Sequence, residues 1–284
     1  DSGYLARAAF IMDKIMHRMG VHGKSFIPMV MGFGCNVPAI MACRTIECRT
    51  SRLITIMVVP FMSCSARLPI YMMIVGTFFP EYAGTALFLL YVLGMLMAVV
   101  SARLMRRFMF REQEAPFVME LSPYRMPTMR TTLRHMWSKC AQYIKKMGGL
   151  ILIASIVVWL LSYYPRPETN SPDAESPNYE MSYMGKIGKV CEPLFRPMDL
   201  GWQASVAILS GLPAKEIVVS TMSVLYAHPD DAEAGGDDEL SHDVKQRISR
   251  SMSTPSAVAF LIFSLLYLPC IATIMAISSE LNWK

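Results

Sequence analysis

Three stretches of the chain run too long without a charge to belong to a water-soluble fold. Thr254 to Ser279 is 26 residues interrupted in its interior only by Pro269, Tyr82 to Ala102 is 21 residues, and Met147 to Tyr164 is 18. A helix needs about 20 mostly apolar residues to cross a bilayer's hydrocarbon core, so each stretch predicts a span. The bulk of the chain agrees: 53% of residues are hydrophobic, 17% are charged and the mean hydropathy is +0.35. A soluble domain carries about 25% charge. The same balance excludes intrinsic disorder, a collagen-like repeat and a disulfide scaffold. The 27 Lys and Arg exceed the 22 Asp and Glu by only five, too little to point to nucleic acid. The reading is an all-α, polytopic membrane protein whose first partner is the lipid bilayer.

Further apolar segments are long enough to matter but are broken. Leu53 to Pro80 carries Pro60, Arg67 and Pro69, and Gly201 to Ala227 carries Gly211, Pro213, Lys215 and Glu216. Proline removes a helical hydrogen bond and crowds the preceding turn, so both midpoints are expected to unwind. Such backbone survives at membrane depth only where protein or water covers it. Phe26 to Cys43 contains Gly32, Gly34 and Pro38 and suits a re-entrant hairpin. Two stretches outside the spans, Tyr4 to Met19 and Thr128 to Lys146, set an apolar stripe against Lys and Arg. They read as helices lying in the interface or docked on protein.

Loop charge orients the scheme, since Lys and Arg favour the cytoplasmic side. Ten lie between Arg103 and Lys146 against three acids, whereas the loop from Pro165 to Leu200 has four against six. The first is placed in the cytoplasm and the second outside. Alternation, with 201–227 counted as a crossing, then puts the loop from His228 to Ser253 inside. The chain begins at Asp1 and ends at Lys284 directly after an apolar run, so both ends are expected to continue in a longer protein.

Chemistry concentrates at the breaks. GFGCNVPA (32–39) places Cys35 and Asn36 at a helix interruption, FMSCSARLP (61–69) places Cys64 in the middle of a broken span, and LPCIAT (268–273) places Cys270 directly after a proline. GLPAKE (211–216) repeats the pattern with Glu216 in place of a thiol. An ionisable group at mid-membrane costs about 2.5–3.5 kcal/mol on insertion scales, so such groups serve a path, a partner or each other. Lys215 and Glu216 can neutralise one another, and Arg67 can cap freed carbonyls. Thiolates favour Fe(II), Zn(II) or Cu(I) over Mg and Ca, and a permeation site must also release its ion. Cys43, Cys48, Cys140 and Cys191 read as packing residues. The 25 methionines read either as adaptable packing or as further soft ligands. Tyr267 and the tryptophans 137, 159, 202 and 283 are expected in the interfacial belt. GVHGKS (20–25) lacks the first glycine of a phosphate-binding loop, which would stand where Arg18 does.

These motifs, together with DSGYLARAAF (1–10), HGKSFIP (22–28), GFGCNVPAIMACRT (32–45), PFMSCSARLPIY (60–71), GLPAKEIVVSTM (211–222) and LLYLPCIATIMAI (265–277), resemble in order the membrane domain of the FeoB family of bacterial ferrous-iron transporters. The resemblance implies Fe(II) uptake across the bacterial cytoplasmic (inner) membrane, with Fe(II) as cargo. It implies two gate segments in gate-type inverted repeats, related to those of nucleoside transporters. The expected organisation is an interfacial helix plus the first gate re-entrant segment (1–52), two transmembrane helices (53–104) and a basic cytoplasmic segment with an amphipathic helix (105–146). A transmembrane helix (147–164), an external loop (165–200), the second gate broken helix (201–227), a cytoplasmic loop (228–253) and a transmembrane helix (254–280) follow. Proposed pore cysteines of the family fall on Cys35, Cys64 and Cys270, and Glu216 matches the acid of the second gate. The path is completed by Asn36, Pro38, Ser65, Arg67 and Thr273 in the same motifs. GTP and Mg belong to an N-terminal G domain that this sequence does not contain, so no catalytic residue and no resident cofactor are expected and the chain is not read as an enzyme. That G domain, a small cytoplasmic Feo accessory protein and further copies of the chain are the implied partners. The alternatives are a gate-family carrier of a nucleoside or other solute, and an intramembrane enzyme, for which only Lys215 and Glu216 come near a reactive pair.

Overall fold

A computed structural model describes residues 4–108, 128–164, 182–226, 245–267 and 270–281. Among these residues every regular element is helical and no strand occurs. Three helical segments are long and apolar enough to cross a membrane: Arg49–Phe78, Ala83–Phe108 and Thr254–Leu281. The middle one points Phe88, Leu89, Leu96, Val100 and Leu104 outward, the arrangement a lipid-facing helix requires. The stretch expected as an 18-residue span from Met147 gives a shorter apolar helix, Leu152–Tyr163. A π turn over Ile144–Gly148 joins the basic helix Met129–Tyr143 to Gly149–Tyr163, so the amphipathic helix and this apolar one are continuous. Pro269, most of the 105–128 segment, residues 165–181 and residues 227–244 lie outside the described residues.

Proline and glycine set where the helices stop, but at the breaks and at the last span the prolines start new helices rather than bend old ones, whereas Pro193 lies inside Tyr183–Phe195. Pro38, Pro69 and Pro255 each fall in the first turn of Asn36–Ala42, Leu68–Phe78 and Thr254–Leu266, where a missing N–H has no helical acceptor to lose. The interruption precedes each proline. Cys35 is extended (φ −150°, ψ 131°) between Phe26–Gly32 and Asn36–Ala42, and these two short helices pack on each other, as expected of a re-entrant hairpin. In the broken span, Arg49–Val58 passes through 3₁₀ turns at Val59–Phe61 and Ser65–Arg67 before Leu68–Phe78.

Residues 201–227 depart from the sequence reading. Instead of one broken crossing, Trp202–Ser210 and Glu216–Tyr226 fold back and pack against each other. Nine and eleven residues rise only about 14 and 17 Å, so neither limb crosses about 30 Å of hydrocarbon. The region is a second helical hairpin.

The chain divides into two compact units, 1–65 with 91–150 and 272–284, and 66–90 with 151–271. The first is centred on Met16, Val21, Met29, Ile54, Val58, Met62, Ala98 and Ala102. Its Arg44 grips Glu280 through Nε (2.9 and 2.7 Å) and Nη2 (2.6 Å), which raises the Arg44 pKa because the bound carboxylate stabilises the cation. Lys24 Nζ donates to Glu47 at 2.7 Å and holds that carboxyl below its ordinary value. The second unit has the larger core, with Tyr71, Ile74, Ile208, Met222, Phe260 and Leu265 all nearly or fully buried. Burying a large apolar side chain contributes about 1.5–3 kcal/mol, so these layers hold the second hairpin in place.

Candidate functional site

A broken helix leaves carbonyls and amides without helical partners. In each unit they are met by the unit's other break. In the first unit the Gly34 carbonyl, at the tip of the 26–42 hairpin, accepts the Ser65 N–H at 3.2 Å and the Ser65 Oγ–H at 2.8 Å. The approach depends on a missing side chain, for a Cβ on Gly32 would stand 3.1 Å from Met62 Cβ. This bond brings together the two stretches that carry Cys35 and Cys64, each thiol one residue from a bonded partner. Cys35 is exposed and Cys64 half-buried. Asn36 is buried, and its Oδ1 has no hydrogen-bond partner among the described residues; the Ser63 hydroxyl is in the same position. Leaving a buried acceptor unmet costs about 1–3 kcal/mol, so each such group asks for a functional explanation. Pro38 stands in the first turn of the second limb of the hairpin, and Thr273 is buried in the same unit.

The second unit repeats the device with different groups. The Leu212 carbonyl, in the tip of the 202–226 hairpin, accepts the Ile271 N–H at 2.9 Å. The Tyr267 hydroxyl donates to the Ile208 carbonyl at 3.1 Å. A Cβ on Gly211 would collide with Val218 Cγ2. Cys270, half-buried, is again one residue from the bonded partner. Lys215 is buried, with Nζ 4.4 Å from the centre of the Tyr267 ring, a cation–π geometry. Glu216 is exposed at the first position of its helix, where the helix dipole favours a carboxylate.

Arg67 is among the largest fully buried side chains, at 1% exposed, and its Nε and Nη1 have no hydrogen-bond partner among the described residues. The capping of freed carbonyls expected of Arg67 is not made through these two nitrogens. Tyr267 also departs from expectation: it is packed against the second unit's core, with its ring under Lys215, and is no interfacial belt residue. Trp137 and Trp159 are exposed as a belt would have them, and Trp283 lies outside the described residues. Among the described residues no three His, Cys, Asp or Glu side chains gather as a metal-holding group. The candidate residues divide between the units: Cys35, Asn36, Pro38, Cys64, Ser65 and Thr273 in the first, Arg67, Glu216 and Cys270 in the second. The unmet Ser63 hydroxyl and the Tyr267 contacts were not anticipated from sequence; the signal available was their place next to Cys64 and two residues before Pro269.

Residues 1–78 and 144–284 match the gate family, described as nucleoside recognition, and thereby include all four breaks. Residues 87–139 match the family described as ferrous iron transport protein B C terminus. The chain belongs to the FeoB family. It is 49% identical, over its whole length, to the Fe(2+) transport protein A/Fe(2+) transporter FeoB fusion protein of Porphyromonas gingivalis, of which it covers 38%. It is 45% identical over 98% of its length to the Fe(2+) transporter FeoB of Campylobacter jejuni, covering 45% of that protein. With the FeoB of Methanocaldococcus jannaschii the identity is 42% over the whole chain and 41% of the relative. The chain thus spans less than half the length of these FeoB relatives. No solved structure matches it.

Proposed function

We propose that this chain is the membrane permease portion of a Fe(II) uptake transporter of the bacterial cytoplasmic membrane, multi-pass, with Fe(II) as its cargo. The observation that carries the reading is the pairing of breaks within each unit, with a cysteine beside a bonded residue at three of the four break stretches. Unwound backbone presents carbonyls and thiols at membrane depth, and soft sulfur beside weak oxygen donors binds Fe(II) without trapping it. Cys35, Cys64 and Cys270 supply the sulfur. Asn36, Ser65, Glu216 and Thr273 supply oxygen, Pro38 keeps the first tip open, and Arg67 is the buried positive charge of the path. The relatives' names, Fe(2+) transporter FeoB, favour iron over the nucleoside that the gate description names. GTP and Mg²⁺ act through a G domain outside this chain. The fusion of one relative to an Fe(2+) transport protein A supports a small cytoplasmic Feo partner, and copies of the chain associate in the membrane.

The second hairpin changes the sidedness. A hairpin enters and leaves on one face, so 165–200 and 228–253 share a face, in place of the opposite faces that alternation assigned. Arg49–Phe78, Ala83–Phe108, the helix ending at Tyr163 and Thr254–Leu281 then make an even number of crossings between Arg44 and Glu280. The Arg44–Glu280 ion pair at 2.6 Å supports that count, because an odd number would put the two residues on opposite faces. The N-terminal segment, the basic 105–146 stretch and the end of the last helix face the cytoplasm.

The test is uptake into vesicles by the full-length protein, with Fe(II), Zn(II), Mn(II) and uridine offered separately. Cys64→Ser is expected to abolish Fe(II) uptake while membrane insertion stays normal. Wild-type uptake by that variant removes the ligand role, and uptake of uridine without Fe(II) favours the solute carrier.

A further inference from the structure

A second polar feature lies away from the breaks, where the N-terminal helix meets the end of the long span. The helix Tyr4–Met19 stops at Gly20 (φ 87°), with the Gly20 N–H donating to the His17 carbonyl at 3.1 Å and the Val21 N–H to the Met16 carbonyl at 3.1 Å. That turn delivers His17 and Arg18 to the last turns of Ala83–Phe108. There Arg103 donates to the Arg18 carbonyl through Nε (3.2 Å) and Nη2 (2.9 Å), capping the helix C-terminus. Between the two elements is a cavity of about 300 Å³ lined by His17, Arg18, Gly20, Arg103, Arg106 and Arg107. Four arginines and a histidine line it, and among the described residues no acidic side chain does.

We infer that this cavity binds the phosphate of an anionic phospholipid headgroup. Guanidinium forks match phosphate oxygens geometrically, and basic pockets at the ends of membrane helices recognise such headgroups. The apolar surroundings select a lipid over free phosphate. On the N-terminal helix Ile11 and Ile15, two turns and one turn before Arg18, are 74% and 51% exposed; on the long helix Leu104 and Phe108, beside Arg107, are 56% and 76% exposed. Acyl chains cover these side chains while the phosphate sits among the arginines, so the lipid ties the N-terminal helix to the span.

The test is native mass spectrometry of the full-length protein in detergent with phosphatidylglycerol and phosphatidylcholine at equal concentration, and separately with inorganic phosphate. Phosphatidylglycerol is expected to be retained preferentially, about fivefold less for each arginine removed in Arg107→Gln and in Arg103→Gln/Arg107→Gln, and largely kept by Arg107→Lys. Because Arg107 makes no cap, its single substitution separates headgroup binding from folding. Equal retention of both lipids, unchanged retention by Arg107→Gln, or displacement of the lipid by millimolar inorganic phosphate overturns the inference.

Discussion

The two hairpins use one backbone solution and fill it with opposite chemistry. At 26–42 the tip carbonyl of Gly34 is met by a serine, the neighbouring thiol Cys35 is exposed and the Asn36 oxygen is buried without a partner among the described residues. At 202–226 the tip carbonyl of Leu212 is met by a backbone amide, and a buried lysine lies over a tyrosine ring beside an exposed acid. The first tip is polar and accessible, as the proposed cation path requires. The second is tightly packed around a buried positive charge. A re-entrant tip thus sets where unwound backbone appears, and the residues beside it set what that backbone does.

The sharpest way to break this comparison is to overfill both tips. Gly211→Ala forces a methyl group into Val218, and overpacking of this kind costs about 1–3 kcal/mol; a marked loss of folded protein and thermal stability is expected. Gly32→Ala meets the Met62 Cβ at 3.1 Å, a contact relieved by a shift of a few tenths of an ångström, so a smaller loss is expected. Equal losses from the two variants, measured by thermal unfolding in detergent, would erase the distinction between a tight and an accessible tip.

Next in size is Arg67→Met. Replacing an imperfectly paired buried charge with an apolar side chain of similar volume is often neutral or stabilising. Thermal stability is therefore expected to hold or rise while Fe(II) uptake falls. A variant that loses stability and uptake together would make Arg67 a structural residue.

Tyr267→Phe removes the hydroxyl that meets the Ile208 carbonyl but keeps the ring under Lys215, for an expected loss of about 1 kcal/mol. Ser65→Ala leaves the Ser65 backbone N–H on Gly34 in place at an exposed position, and its stability loss is expected to be the smaller of the two. The reverse order in a denaturant or thermal series would locate the tighter tip in the first unit.

The smallest effect concerns pH. Lys24 depresses the Glu47 pKa, so the stabilising contribution of this pair is present above the unfolded-state value, about 4.3, and fades as pH falls through the folded-state value. The thermal stability difference between wild type and Glu47→Gln is expected to be small near neutrality and to vanish in acid; a difference that grows in acid contradicts the assignment.

Much of this was legible in the residues because its causes are local. Charge-free runs specify lipid as the solvent, and clustered glycine and proline interrupt a helix locally, so the breaks at 33–35, 62–64 and 211–215, and the cysteines beside the first two, were visible one motif at a time. The length of the apolar run misled at 201–227, because composition cannot tell one crossing from two limbs folded back on each other. Tyr267 misled for a related reason: an aromatic with a polar tip suits both an interfacial belt and a buried lysine.

Sequence alone determined the helical class, the membrane setting and the positions of the breaks, since each follows from hydrophobicity and backbone restriction within a few residues. Tertiary structure alone decided which breaks meet, that Lys215 lies over Tyr267, and that Arg44 closes on Glu280 across 236 positions of chain. Those contacts join residues far apart in sequence, and no local preference records which distant carbonyl, ring or carboxylate will be there to receive them.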